Sequence, residues 1–240
     1  MKAIIFFVFL VFSVAVYGQT KALKITHLTG NIYVCTSYGI LDDGSVYPAN
    51  GLYIVTPTGV IMIDTPWDET QTRQLLDTLQ SRYHKQVLMC VSTHFHADRV
   101  GGVDVLKAKG IKTYCTALTK QLAKKNGDKQ PEFTFKSDTT FHIGNVVVHA
   151  YYPGPGHTQD NIVVWLPQSK VLFGGCFIKS FDSHDIGNIA DADLKAWPSS
   201  IENVRAQFKD IRYVIPGHEG WRGDTSQFGH TLALLKQTRH

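Results

Sequence analysis

Short apolar runs typical of strands alternate along this chain with segments of helical periodicity, and the alternation occurs in two successive series. In the first series, a helix-start signal at Asp68-Glu69-Thr70 precedes leucines at helical spacing. We predict strands over residues 32–34, 51–55, 60–63 and 86–92, and helices that begin near residue 68 and span 103–109 and 116–126. Gly110 and Gly127 follow the last two helices, and glycine commonly ends a helix.

The second series begins near residue 132. It predicts strands over residues 133–135, 146–152, 161–166, 171–173 and 213–215, and helices over 201–208 and 231–237. Two strand-rich halves, each flanked by helices, favour two sheets packed face to face with helices outside. The predicted fold class is therefore α/β, a four-layer αββα sandwich of two mixed sheets. No Pro- or Ser-rich linker separates the halves, so residues 19–240 are predicted to form a single domain.

The N-terminal residues have the pattern of an export signal. Lys2 supplies one positive charge, about a dozen apolar residues follow it, and small residues suited to a signal peptidase precede Gln19. The apolar run is too short to span a bilayer, although a membrane anchor is the alternative interpretation. We predict that residues 1–18 are a signal peptide, that no stable membrane anchor remains after cleavage, and that the mature chain is periplasmic.

The charge balance argues against nucleic-acid binding. The full chain has a formal net charge of +4, and removal of residues 1–18 takes away Lys2 and leaves +3. The remaining lysines are dispersed and form no basic stripe interleaved with aromatic residues. We therefore expect no nucleic-acid partner.

The strongest chemical signal is the segment Thr93-His94-Phe95-His96-Ala97-Asp98-Arg99, which directly follows the predicted strand 86–92. In an extended segment, residues two apart lie on the same side, so His94, His96 and Asp98 are predicted to face one pocket. The alternative is that these are polar residues on a solvent-exposed turn.

Three further residues, His157, Cys176 and His218, each follow a glycine at a predicted strand-to-loop junction. Taken alone, such a histidine is more often a turn residue, and such a cysteine is more often a small buried hydrophobic residue. Together with the earlier segment they make a set of six His, Asp and Cys side chains, the ligand types that zinc prefers. Six ligands suffice for two metal ions with positions left open for water.

The spacing His94-x-His96-x-Asp98, followed by His157, Cys176 and His218, is similar to the metallo-β-lactamase superfamily. Within it, the chain resembles the di-zinc β-lactamases with an Asp-Cys-His second metal site, and segments 63–67, 156–161 and 174–179 extend the resemblance over essentially the whole mature chain. The resemblance implies two Zn²⁺ ions per chain. One would be held by His94, His96 and His157, and the other by Asp98, Cys176 and His218.

This resemblance also implies an activity. Such an enzyme opens the β-lactam ring of penicillins, cephalosporins and carbapenems by attack of a metal-bound hydroxide, and thereby confers antibiotic resistance. The expected partner is a small-molecule β-lactam substrate, and the chain is expected to act as a monomer.

Two positions separate this chain from other members of the superfamily. Many of its thioesterases, lactonases and nucleases have a histidine directly after the motif's aspartate and a bridging aspartate in place of the cysteine. Arg99 and Cys176 occupy those positions here, which is the pattern of the cysteine-containing β-lactamases. The chain also lacks Ser-x-x-Lys and Gly-x-Ser-x-Gly, so a serine mechanism is unsupported.

By the same resemblance, further side chains have expected roles. Lys179 and Asn188 would bind substrate, Lys179 through the ring carboxylate and Asn188 through the carbonyl oxygen that gains negative charge. A surface lysine and a plain turn asparagine are the alternatives. Asp98 would orient the water that protonates the departing ring nitrogen, so that Asp98 and Asn188 are the expected catalytic side chains. The residues expected to fix the metal ligands from behind are Arg99, Asp191 and Asp64.

The hairpin over residues 40–47 has apolar residues on either side of its predicted tip at Asp43-Gly44. It resembles the mobile flap that closes over substrate in these enzymes, with Ile40, Val46 and Trp67 as hydrophobic walls. Ordinary edge-strand hydrophobic residues are the alternative interpretation.

The four cysteines are too few for a disulfide framework in a chain of this length. If Cys176 binds metal, at most one disulfide can form among Cys35, Cys90 and Cys115.

Two other functions remain open at this point. One is a different metallohydrolase of the superfamily, a lactonase or thioesterase. The other is a non-catalytic exported zinc-binding protein that uses the same ligands but leaves no coordination position open.

Overall fold

The computed structural model describes residues 21–238, so the predicted signal peptide at residues 1–18 lies outside the described residues. The described part contains twelve strands and six α-helices. The strands are β1 (Lys24–Thr29), β2 (Ile32–Ile40), β3 (Val46–Val55), β4 (Val60–Ile63), β5 (Val87–Val91), β6 (Lys112–Thr116), β7 (Phe133–Phe135), β8 (Thr139–Ile143), β9 (Val146–Tyr151), β10 (Val163–Leu166), β11 (Val171–Gly175) and β12 (Tyr213–Pro216). The helices are α1 (Glu69–Tyr83), α2 (Ala97–Val100), α3 (Val103–Ala108), α4 (Ala117–Asn126), α5 (Trp197–Gln207) and α6 (Ser226–Thr238).

The strands form two mixed sheets. The first has seven strands in sequence order, with antiparallel pairing from β1 to β4 and parallel pairing from β4 to β7. The second has the order β12-β11-β10-β9-β8, with antiparallel pairs except for the parallel pair β11 and β12.

Three apolar clusters define four layers. Along β4, Ile61 and Ile63 belong to a central cluster that also contains side chains of the second sheet, whereas Val60 and Met62 face an outer cluster with α1 and α3. This alternation follows from the twofold side-chain period of a strand. A third cluster packs α5 and α6 against the outer face of the second sheet. The predicted four-layer αββα sandwich is therefore confirmed.

Strand direction decides where the polar loops meet. β4 and β5 run parallel in the first sheet, and β9, β11 and β12 run in one direction in the second. The carboxyl ends of like-directed strands lie at the same edge of a sheet, where ligand sites of α/β proteins commonly form. The polar residues that follow these five strands are Asp64, His94, His157, Cys176 and His218.

Each strand and helix predicted from the two series is present, but three strands and one α-helix were missed. β6 is a five-residue strand with only two apolar residues, too few for a clear strand pattern. β1 and β8 are partly exposed and mix polar with apolar residues, so they lack the clear alternation of a half-buried strand. α2 has four residues, too few to display helical periodicity. Among residues 21–238, no helix combines the length and apolar character that crossing a membrane requires.

Candidate metal centre

Asp98, Cys176 and His218 form one compact group of donor atoms. Cys176 Sγ lies 3.0 Å from His218 Nε2 and 3.5 Å from Asp98 Oδ2, and the last two atoms are 3.3 Å apart. The His218 ring is fixed from behind, because its Nδ1 lies 2.7 Å from the carbonyl oxygen of Pro48. The free ring nitrogen is therefore directed at the cysteine and the aspartate.

A second group adjoins the first and contains three histidines. His94 Nε2 lies 3.2 Å from His96 Nδ1, and the His157 ring centroid is 4.9 Å and 5.2 Å from those of His94 and His96. Ligand atoms of His94, His96 and Asp98 lie within 4.8 Å of one another, as do those of His94, His157 and Cys176. The structure thus brings all six predicted ligands together, and Asp98 and Cys176 join the two groups.

The six donors fit a transition-metal ion. Zinc bonds of 2.0–2.3 Å in tetrahedral geometry place neighbouring ligand atoms about 3.3–3.8 Å apart. The measured separations of 3.0–3.5 Å in the Asp98, Cys176 and His218 group are close to this range. Imidazole, thiolate and carboxylate together are a donor set suited to zinc.

The segment that supplies three of these predicted ligands was expected to be extended throughout, but only its first part is. β5 ends at Val91, His96 is the N-cap of α2, and Asp98 lies in the first turn of that helix. A bend followed by a helical turn, rather than a continued strand, directs Asp98 toward Cys176. The prediction that the three side chains face one pocket is correct for a different local reason.

Arg99 lies behind the Asp98, Cys176 and His218 group and is fully buried. Its Nη2 donates to Cys176 Sγ at 2.9 Å and lies 2.8 Å from Asp98 Oδ2. Its Nη1 donates to the carbonyl oxygen of Asn50 at 2.6 Å and lies 3.3 Å from Asp64 Oδ2. One planar guanidinium therefore joins two carboxylates, a sulfur atom and the backbone, a pattern that a single ammonium cannot reproduce.

Asp64 and Asp191 each contact the loop or ring of a predicted ligand. Asp64 accepts hydrogen bonds from Thr93 N at 2.7 Å and Thr93 Oγ1 at 2.9 Å, directly before His94. Its φ of 61° is in the left-handed region, which is uncommon for a residue other than glycine. Asp191 Oδ2 lies 2.9 Å from His96 Nε2, so that Nδ1 of this ring is left for the donor group.

The electrostatics of the group favour the protonation states that bind metal at His94, His157 and Asp98, whereas His218 must release a proton to bind. Burial lowers the pKa of His94 and His157 well below the usual histidine range, which leaves both rings neutral. Burial opposes ionisation of Asp98, but Arg99 and His218 hold the pKa of its carboxyl well below its usual range. Burial also lowers the pKa of His218, yet Cys176 and Asp98 raise it to about 9 overall.

A cleft of about 450 Å³ opens over the donor atoms. Predicted residues Trp67, Lys179 and Asn188 line it together with the predicted ligands His96 and Asp98. The Lys179 side chain is 8% exposed, with Nζ 5.5 Å from the Trp197 ring centroid, so a solvated surface lysine is excluded. Asn188 lies on the exposed side, and its Oδ1 accepts a hydrogen bond from Ala190 N.

The β2–β3 hairpin forms one wall of this cleft, with its tip at the predicted Asp43-Gly44. Ile40 and Val46, the predicted wall residues, are 71% and 50% exposed, but Leu41 and Tyr47 are the hairpin residues that line the cleft. Tyr47 was not predicted, and its ring stacks on His218 at 4.8 Å between centroids. No local signal distinguished it, because the same two strands also carry Tyr33, Tyr38 and Tyr53.

All four cysteines carry free thiols, and all are buried. Burial raises the pKa of Cys35 to about 12 and that of Cys115 to the same value, so these thiols stay protonated. The one disulfide that the sequence left open does not form in this structure.

The pKa of Asp64 predicts a dependence of stability on pH. Burial raises this pKa from 3.8 to about 7, against the opposing effects of Arg99 and of Thr93. Because the folded chain keeps the proton that the unfolded chain releases, the stability contributed by neutral Asp64 is complete below pH 3.8 and is lost as pH rises to about 7.

Asp64→Asn should remove this dependence. Between pH 4 and 7, the variant should gain up to about 1.4 kcal/mol per pH unit in unfolding free energy relative to the wild type. Urea denaturation of both chelated proteins at several pH values in this window measures the difference. A difference that does not vary with pH would contradict the assignment.

Two mixed sheets with outer helices, and histidine, aspartate and cysteine ligands at their strand ends, define a metal-dependent hydrolase of the αββα class. A family model of the metallo-β-lactamase superfamily matches residues 44–218, and the chain belongs to this superfamily.

Individual relatives agree with the family. The chain is 45% identical to a metallo-β-lactamase type 2 of Bacillus cereus, over 91% of this chain and 85% of the relative. It is 40% identical to another metallo-β-lactamase type 2, from Elizabethkingia meningoseptica, over 92% of this chain and 88% of the relative. A solved metallo-β-lactamase from Pontibacter korlensis superposes with a TM-score of 0.85 at 40% identity, covering 89% of this chain and 99% of that one.

Proposed function

We propose that this chain is a zinc-dependent β-lactamase that hydrolyses the β-lactam ring of penicillins, cephalosporins and carbapenems and confers antibiotic resistance. The observation that carries the proposal is the convergence of six donor side chains beneath an open cleft. The combination of Arg99 with Cys176 favours β-lactams over the thioesters and lactones of other superfamily members. Named relatives at 40–45% identity support the same activity.

We propose two zinc ions per chain. His94, His96 and His157 would hold one, and Asp98, Cys176 and His218 the other. When bound, zinc supplies Lewis acidity, which polarises a carbonyl oxygen and lowers the pKa of water to around 7. This donor set suits such a role because neutral imidazoles leave a net positive charge at the site.

Lys179 binds the carboxylate on the substrate's ring. Burial lowers the pKa of its ammonium, so an anionic partner in the cleft stabilises the charged form. Lys179 also lines the same cleft as the six-donor centre, which places the carboxylate beside the reacting amide. This contact fixes the orientation of the β-lactam before reaction.

Asn188 and Asp98 act on the reacting bond. As the carbonyl carbon becomes tetrahedral, its oxygen gains negative charge, and the Asn188 side-chain amide donates a hydrogen bond to it. The ring nitrogen departs with the electron pair of the broken amide bond and takes a proton from a water held by the Asp98 carboxylate. Asp98 thus orients the proton donor and does not attack the substrate.

Arg99, Asp64 and Asp191 position the other groups. Arg99 keeps Asp98 and Cys176 in place through its two terminal nitrogens, Asp64 supports the loop before His94, and Asp191 fixes the His96 ring. Such partners behind the ligands typically change metal affinity by about 10- to 100-fold when removed.

The setting of the enzyme is also part of the proposal. Residues 1–18 would direct export to the periplasm and be removed, leaving a single domain over residues 19–240 that acts as a monomer on a small-molecule substrate. The short apolar run after Lys2 supports export.

Hydrolysis by the purified chain tests the proposal. Ring opening of a penicillin, a cephalosporin and a carbapenem is followed by absorbance before chelation, after chelation and after zinc is restored. We expect activity in the first state, its loss in the second and its return in the third, with two zinc ions per chain by metal analysis. Activity that survives thorough chelation would refute the metal mechanism.

The same assay separates the alternatives. Turnover of a thioester or lactone without turnover of any β-lactam would favour another metallohydrolase. Two tightly bound zinc ions with no hydrolysis of any substrate would favour the non-catalytic zinc-binding protein.

A further inference from the structure

The cleft above the donor atoms carries opposite charge at its two sides. Lys179 lines it near Cys176 and His218, whereas Asn126 and Asp128 line it from the C-terminal end of α4. Neither Asn126 nor Asp128 belongs to the metal centre, and the sequence motifs did not point to them. A substrate anchored through its carboxylate at Lys179 would therefore have a substituent remote from that carboxylate within reach of a rim that contains a carboxylate.

The backbone around Asp128 is fixed by the end of α4. Gly127 adopts the left-handed conformation with φ of 82°, and Asp128 N donates to the carbonyl oxygen of Ala123 at 2.8 Å. This cap pattern closes the helix and limits the freedom of the residue that follows it. Asn126 Nδ2 also donates to Asp128 Oδ2 at 2.6 Å, so the carboxylate is held by a neighbouring side chain at the rim.

The nearby lysines do not neutralise this carboxylate. Lys129 Nζ lies 2.9 Å from Asp104 Oδ2 and 3.7 Å from Glu69 Oε1. Within residues 21–238, no basic side chain lies within ion-pair distance of Asp128. Lys124 and Lys125 are exposed on the last turn of α4 and do not line the cleft. Asp128 therefore presents a carboxylate without an ion-pair partner among the described residues at this rim.

We propose that Asp128 is a specificity-determining residue that favours β-lactams carrying a cationic substituent, such as an ammonium or amidinium group. The proposal rests on the proposed β-lactamase activity. A cleft of about 450 Å³ is large enough for a bicyclic nucleus and one substituent. The Asn126 amide fixes the Asp128 carboxylate by a hydrogen bond. Asp128 is half-buried, so its carboxylate attracts the substituent's cation at a partly solvated site.

The test compares two cephalosporins of the same nucleus that differ in the side chain remote from the ring carboxylate, one with a quaternary ammonium group there and one with a neutral group of similar size. In Asp128→Asn, kcat/KM for the cationic compound should fall about two- to fivefold relative to the neutral one, as expected for a partly exposed charge pair. The change should appear in KM with kcat retained, because the contact is made equally in the ground and transition states. It should also shrink as salt rises, because exposed charges are screened.

Asp77→Asn is the matched control. Asp77 is an exposed carboxylate on α1 that lies outside the cleft and has no ion-pair partner within residues 21–238. The Asp77→Asn substitution removes the same charge from the molecule but not from the cleft. The preference between the two cephalosporins should therefore stay as in the wild type. Asp128→Lys should carry the effect further and make the neutral compound the better substrate.

An unchanged preference in both Asp128 variants would overturn the inference, as would an equal change in Asp77→Asn, which would indicate an effect of net charge alone. Failure of the underlying function has a different signature, because neither cephalosporin would then be hydrolysed by the wild type. A loss of kcat for both compounds in Asp128→Asn would also count against the proposal, since it would mark a structural role.

Discussion

Replacement of Asp98 by asparagine is expected to lower kcat for β-lactam hydrolysis by about 10²- to 10⁴-fold, the usual contribution of a positioned proton-transfer group. Asp98 is 7% exposed and contacts Cys176, His218 and Arg99 at once. Asparagine has nearly the same shape but lacks the negative charge that binds metal and holds the proton-donating water. The expected loss is therefore in chemistry rather than in substrate binding, and KM should change far less than kcat.

Steady-state kinetics of Asp98→Asn, measured beside its zinc content, separate the two roles of this carboxylate. Restoring zinc to two ions per chain without restoring kcat would show that the proton-transfer role is separate from metal binding. Asp77→Asn, an exposed carboxylate on α1, serves as the control and should keep wild-type kcat. If Asp98→Asn retained more than about a tenth of wild-type kcat with full zinc, the assignment of Asp98 to proton delivery would fail.

The six predicted ligands that the structure brings together could be selected from the sequence, because each follows a strand and a glycine or lies in one short motif. Strand direction then decides which loops share an edge, and the parallel pairs β4–β5 and β11–β12 bring those loops together. The local conformation of the motif was less accessible. Asp98 reaches the centre from a four-residue helix, and a helix so short leaves no periodic signal.

Residues that tertiary packing brings to the site, and that belong to no local motif, were the hardest to predict. Tyr47 stacks on His218 across the sandwich, and Asp128 reaches the cleft from the end of α4. Neither position has a local pattern that distinguishes it from an ordinary strand or helix-end residue. Arg99 was expected to orient the ligands, but its full burial and its contact with Asp64 depend on tertiary packing that no sequence spacing encodes.

Arg99→Met should destabilise the chelated protein by about 3–5 kcal/mol, the usual cost of leaving buried charges without their partner. Arg99 is fully buried, and its guanidinium lies 2.8 Å from Asp98 and 3.3 Å from Asp64. Methionine fills much of the same volume, but it leaves the Asp98 carboxylate without its cation and removes the contact with Asp64. Arg99→Lys keeps the positive charge, so its unfolding free energy should fall by less. It should still fall, because one ammonium cannot reach every acceptor that the guanidinium contacts.

The matched control is Arg73→Met, which removes an arginine whose side chain is 56% exposed and pairs with Glu69 on the surface of α1. An exposed helical pair of this kind contributes about 0.3–0.5 kcal/mol, so the control should unfold almost as the wild type does. Urea denaturation is followed with and without zinc for all the proteins. The loss in Arg99→Met should be smaller when zinc is bound, because the metal then supplies positive charge beside Asp98 and Cys176. An equal loss of unfolding free energy with and without zinc would mean that Arg99 stabilises the fold by packing. A loss no larger than that of Arg73→Met would refute the expectation that Arg99 compensates buried charge.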